Sequence, residues 1–108
     1  MEITRDNYES VSSVNRNLVI DCWANWCGPC RMMGPIFEKV AEENASRAVF
    51  GKMDCERNPE LVRQFKVMAI PTLIFIREGQ VVDTMIGLVP REEIEAALKK
   101  TFGPDMGR

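Results

Sequence analysis

Apolar residues occur in short continuous runs that alternate with stretches where they recur every three or four positions, a pattern that predicts an α/β chain. Residues 18–24, Leu-Val-Ile-Asp-Cys-Trp-Ala, are apolar except for Asp21 and rich in β-branched and aromatic side chains, as a strand covered on both faces would be. From Cys30 onward, Met33, Ile36, Phe37, Val40 and Ala41 follow a 3.6-residue repeat, with Glu38, Lys39, Glu42 and Glu43 on the other side. This predicts a helix to about residue 45. Pro35 lacks an N–H and predicts a kink one turn after Cys30. Residues 48–54 read as a second strand, and the strand–helix–strand order predicts a parallel pair joined by a right-handed crossover.

The flanking segments complete the pattern. Thr4 followed by Arg5-Asp6-Asn7-Tyr8-Glu9 reads as an N-cap and acidic first turn of a short helix, with Tyr8, Val11 and Val14 as its narrow apolar face. Asn58-Pro59-Glu60 is a second helix start, with Asn as cap and Pro at the first helical position, leading into Leu61, Val62 and Phe65. Runs 72–77 and 81–86 flank Glu78-Gly79-Gln80 and predict an antiparallel hairpin. Gly87 ends the second run, and 91–101 carries Ile94, Ala97 and Leu98 on one helical face before Gly103-Pro104. The sum is a mixed, largely buried sheet with helices on both faces.

Composition narrows the range of functions. With 108 residues, 45% of them hydrophobic, the chain reads as a single domain over 1–108 with a loose tail at 103–108, large enough to bury a core without covalent staples. A net charge of -2 without any basic run gives no footprint for nucleic acid or an anionic membrane. The N-terminus has no apolar stretch behind a basic start, and nothing approaches the length of a membrane span, so a soluble, cytoplasmic protein is expected. There is no histidine, so proton transfer must use carboxylates, lysines, thiols or water. Cysteines at 22, 27, 30 and 55 form no regular framework. One C-x-x-C beside a β–α pattern favours redox or metal chemistry in a reducing compartment.

That pair lies in Trp26-Cys27-Gly28-Pro29-Cys30, at the junction of the first strand and the long helix. If the helix begins here, its i and i+3 positions share a face with Cα atoms roughly 5 to 6 Å apart, within disulfide range. A thiol at the helix start also meets unpaired N–H groups and the positive end of the dipole, which favour thiolate. Cys27 is therefore expected to attack first, and Cys30, one turn inside, to be more buried and act second. Asp21 lies on an apolar strand, where desolvation raises its pKa toward neutrality and lets it exchange a proton with a buried thiol. Sheets of this kind place their sites at the C-terminal strand ends, where the C-x-x-C falls.

Ala69-Ile70-Pro71-Thr72 stands just before a strand. Together with the five-residue motif, Asp21, Lys52 and Gly87, it makes the chain resemble the thioredoxins over nearly its whole length. The resemblance implies a thioredoxin fold, with a central mixed sheet of four to five strands flanked by helices on both faces. The family's extra N-terminal edge strand would be reduced to residues 1–3 or missing, leaving the edge of strand 48–54 less protected. It also implies a protein-disulfide reductase in which Cys27 is the nucleophile, Cys30 resolves the mixed disulfide, and Asp21 assists deprotonation of Cys30 beside Lys52. Pro71 would be cis and face the disulfide, holding the Ile70 backbone outward to pair with an extended substrate. Trp26, Gly28, Pro29, Ile70, Gly87 and Leu88 would line the rest of a partly apolar docking surface. Disulfide-containing protein substrates and a thioredoxin reductase as electron donor are the implied partners of a monomer that needs no cofactor or metal. The Gly-Pro dipeptide supplies no histidine to stabilise the thiolate, which points to a reductant. Cys22 stands where the family usually has an aromatic and reads as a small core residue. Cys55 is placed for exposure and regulatory oxidation, and Met68-Ala69 is more apolar than usual. The competing readings are a module binding metal through four cysteines and a non-catalytic adaptor using the same surface.

Overall fold

In the computed structural model, which describes residues 1–103, the elements follow in the order α1 (Tyr8–Val14), β1 (Asn17–Trp23), α2 (Gly28–Glu43), β2 (Val49–Asp54), α3 (Pro59–Gln64), β3 (Thr72–Arg77), β4 (Gln80–Ile86) and α4 (Arg91–Phe102). The tail expected to be loose lies, from residue 104 onward, outside the described residues. The sheet has four strands in the order β2-β1-β3-β4. β1 and β2 are parallel, with Asp21 opposite Lys52, while β3 runs antiparallel to β1 and β4 antiparallel to β3. Glu78 and Gly79 both take positive φ, 51° and 80°, which gives the two-residue turn whose twist suits a hairpin.

Side-chain alternation along the strands makes two cores. Leu18, Ile20 and Cys22 join Ile74 and Ile76 against Tyr8, Val11 and Leu61, the side covered by α1 and α3. Val19, Leu73 and Phe75 pack against Met33, Phe37 and Val40 of α2 and Ile94 and Leu98 of α4. Asp21 is in step with Val19 and therefore faces α2. The helix that carries the cysteines thus also covers the acid.

The N-terminal edge strand is present in reduced form. Glu2 makes one parallel bridge to Lys52, with Ile3 N–H donating to Lys52 O at 2.8 Å and Lys52 N–H to Met1 O at 2.9 Å. Ile3 is fully buried, and a Cβ on Gly51 would come within 2.5 Å of its side chain. Glycine is what lets this three-residue cover lie against β2.

Two boundaries and one cap differ from the sequence reading. α2 begins at Gly28, two residues early, because Cys27 itself caps it and Pro29 sits in its first turn, where a missing N–H costs nothing; it then continues through Pro35 to Glu43. α1 begins at Tyr8, since Thr4 caps a preceding turn instead, its Oγ1 accepting from Asp6 and Asn7 N–H at 3.2 and 3.3 Å. Asn58 makes no side-chain cap to α3. Its side chain is drawn into longer-range bonds, accepting from Arg5 N–H at 3.0 Å and donating to Asp54 O at 2.9 Å, and so fastens the N-terminal segment to the β2–α3 connection.

Candidate active site

Cys27 is the N-cap of α2, and its Sγ accepts from Cys30 N–H at 3.2 Å. One of the helix's otherwise unpaired N–H groups therefore points at the sulfur, the arrangement that stabilises a thiolate when the pair is reduced. Cys27 and Cys30 form a disulfide with Cα atoms 5.2 Å apart, inside the separation expected from a helical i, i+3 pair. The two differ little in burial, at 4% exposure for Cys27 and 7% for Cys30, which corrects the expectation that Cys30 is the more buried. Cys27 is enclosed because Ala24, Trp23 and the Ile70 side chain pack around the pair. The asymmetry between the sulfurs lies in what each adjoins, not in depth.

Behind the pair, a cleft of about 310 Å³ is lined by Asp21, Trp23, Asn25, Cys30, Gly34, Glu38 and Lys52, among others. Asp21 is 1% exposed, and neither carboxylate oxygen has a hydrogen-bond partner among the described residues. Burial pushes its pKa up to about 6; the Lys52 ammonium opposes the rise and the Glu38 carboxylate adds to it. Lys52 neighbours Asp21 in the sheet register, yet its Nζ pairs with Glu38 Oε2, at 3.4 Å. The acid is thus left without an ion pair of its own. In the sequence Glu38 reads only as part of a polar helix face. The spacing of Cys30, Gly34 and Glu38, four residues from each to the next, is the signal that puts all three on the cleft.

The remaining predicted residues form the surface around the disulfide. The Ile70–Pro71 peptide bond is cis, Ile70 packs against the cysteine cluster, and Gly87 N–H donates to Pro71 O at 2.8 Å. Gly87 has φ 94°, a left-handed conformation that favours glycine. Gly28 and Pro29 are exposed, as is Leu88. Trp26 is 67% exposed, and its indole N–H donates to Glu56 Oε2 at 3.0 Å, a partner on the β2–α3 loop that the sequence did not reveal. Exposed Met32 and Met68 add further apolar area to the molecular surface. Cys22 and Cys55 belong to the α1/α3 core, so the four cysteines do not converge. Among the described residues, no group of three or more cysteines and acids is arranged to hold a metal ion.

The thioredoxin family model matches residues 1–100. The chain is 41% identical to the thioredoxin of Alicyclobacillus acidocaldarius subsp. acidocaldarius over 98 residues, covering 91% of this chain and 93% of that one. It is 43% identical to the thioredoxin of Listeria monocytogenes over 99 residues, 92% and 95% of the two chains. In structure it resembles the crystal structure of Malassezia sympodialis thioredoxin, with a TM-score of 0.83 and 34% identity over 94% of this chain and 89% of the other. With a Cys-Gly-Pro-Cys pair closed as a disulfide at the mouth of α2, the chain belongs to the thioredoxin family and is a dithiol–disulfide oxidoreductase.

Proposed function

We propose that Cys27 and Cys30 work in a fixed order on disulfides of protein substrates, supported above all by Cys27 capping α2 while Cys30 shares a cleft with the unpaired Asp21. The Cys27 thiolate attacks a substrate sulfur, forming a mixed disulfide and releasing the other substrate sulfur as a thiolate. Cys30 then loses its proton to the Asp21 carboxylate and attacks Cys27 Sγ, which closes the Cys27–Cys30 disulfide and frees the second substrate sulfur. An acid with a pKa of about 6 is largely ionised near neutral pH, yet basic enough to take up that proton. Lys52 and Glu38 act on this step through the charge of Asp21, one favouring the carboxylate and the other opposing it.

Substrate docks across Trp26, Gly28, Pro29, Ile70, Pro71, Gly87 and Leu88. The N–H and C=O of Ile70 have no hydrogen-bond partner among the described residues, which suits pairing with an extended substrate backbone. The enzyme works as a monomeric single domain, is reduced by a thioredoxin reductase, and serves in the cytoplasm, a reducing compartment that suits the free thiols Cys22 and Cys55. It uses no cofactor, metal, nucleic acid or membrane. Without a histidine between the cysteines, the pair runs as a reductant.

Trapping tests the order. Cys30→Ser should accumulate mixed disulfides from cell extract through Cys27, and Cys27→Ser should accumulate none. Partners attached through Cys30 or Cys55 would refute the assignment. A Cys27–Cys30 disulfide that glutathione reduces as readily as an ordinary exposed one would refute the reductant direction.

A further inference from the structure

Two thiols remain outside the active disulfide, Cys22 and Cys55. The register sets Cys22 opposite Met53, and Cys55 comes two residues later, so both side chains stand on the α1/α3 side of the sheet. Cys55 N–H donates to Trp23 O at 2.9 Å, which holds the end of β2 against β1 just beyond Cys22. Cys22 is fully buried, whereas Cys55 is half-buried where the chain leaves the sheet for the turn at 55–57. The two thiols lie close enough for each to shift the other's titration. The neighbouring Cys55 thiol and burial push the Cys22 thiol far up, so it keeps its proton, and the Cys22 thiol draws Cys55 below the ordinary thiol range. The reachable sulfur is therefore the better nucleophile, and the buried one stays protonated beside it.

We propose that Cys22 and Cys55 form a second redox centre, on the opposite side of the sheet from Asp21, in which a hydroperoxide oxidises Cys55 and Cys22 then closes a disulfide with it. The Cys55 thiolate attacks the peroxide oxygen, breaking the O–O bond to give a sulfenic acid and hydroxide. Cys22 sulfur attacks the sulfenic sulfur, an S–S bond forms, and the hydroxyl leaves with the Cys22 proton as water. Overall, two thiols and one hydrogen peroxide give one disulfide and two waters. Strands about 4.8 Å apart and an offset of two residues of about 3.3 Å each put the two Cα atoms about 8 Å apart, beyond the usual disulfide range, so closure draws Cys55 toward β1.

The whole chain, with Cys27–Cys30 already oxidised, is treated with hydrogen peroxide, alkylated after denaturation and mapped by mass spectrometry. Both remaining thiols should disappear together in the monomer, with loss of two hydrogens, a Cys22–Cys55 cross-linked peptide, and recovery on adding a dithiol. Cys22→Ala should leave a Cys55 sulfenic acid that dimedone traps. Cys55→Ser, which keeps the buried thiol in place and does not depend on how Cys22→Ala folds, should slow oxidation of Cys22 by about tenfold or more. Oxidation of Cys55 with Cys22 still open to alkylation would overturn the proposal. So would a cross-link between chains or to Cys27 or Cys30, unchanged Cys22 oxidation in Cys55→Ser, or two inert thiols under peroxide that oxidises exposed Met68.

Discussion

Replacing Asp21 by asparagine should make the protein more stable at neutral pH and leave its stability unchanged in acid. The carboxyl has an ordinary pKa of 3.8 and is raised to about 6 by burial in the folded chain. Between those values the unfolded chain has released the proton and the folded chain still holds it. Each pH unit there costs the folded state about 1.4 kcal/mol. A gap of about 2 pH units gives about 3 kcal/mol, lost as pH rises through the window and constant above it. The asparagine side chain would carry no charge to desolvate at any pH. Urea unfolding of Asp21→Asn and the unaltered protein, with the disulfide intact, should therefore give equal stability below about pH 3.5 and an advantage of about 3 kcal/mol for the variant at pH 7.5. A difference independent of pH, or an unaltered protein that is the more stable above pH 7, would refute the picture of an unpaired buried acid. The same variant should slow closure of the Cys27–Cys30 disulfide from a mixed disulfide, so one side chain trades stability for proton transfer.

Other substitutions probe the surroundings of that acid and the edge of the sheet. Lys52→Met removes the charge that favours the carboxylate, so the pH at which disulfide closure switches on should move up, while Glu38→Gln should move it down; pH profiles of single-turnover exchange read both, and shifts in the same direction would contradict the cleft electrostatics. Gly51→Ala should destabilise the fold by about 1–3 kcal/mol through collision with Ile3. In the Ile3→Ala background it should cost markedly less, and additive losses in a double-mutant cycle would show that the two do not touch. Glu56→Ala releases the Trp26 indole, so tryptophan fluorescence should change and KM for a protein substrate should rise with kcat nearly unaltered.

Site residues are legible in the sequence where a residue's role follows from its near neighbours. Cys27 and Cys30 are three apart at a strand-to-helix junction, and Asp21 interrupts an apolar run, so both can be identified locally. Lys52 is harder. Its adjacency to Asp21 follows from the parallel register, but side-chain reach across to α2 decides that it pairs with Glu38. The burial order of the two cysteines fails for a similar reason. Depth along a helix suggests Cys30, whereas Ile70, about forty residues later, is what helps enclose Cys27.

The sequence by itself determined the element order, the two-sided sheet and the redox pair, because hydrophobic periodicity, caps and motif spacing act over a few residues and each leaves its mark within one segment. Only the tertiary structure decided which distant groups meet. It left Asp21 without a partner, set Glu38 beside Lys52, tied Trp26 to Glu56, and laid Met1 to Ile3 along β2. It also placed Cys22 and Cys55 side by side on the opposite side of the sheet from Asp21. Those contacts depend on strand register and helix packing, which couple residues far apart in the chain and have no signature in local spacing.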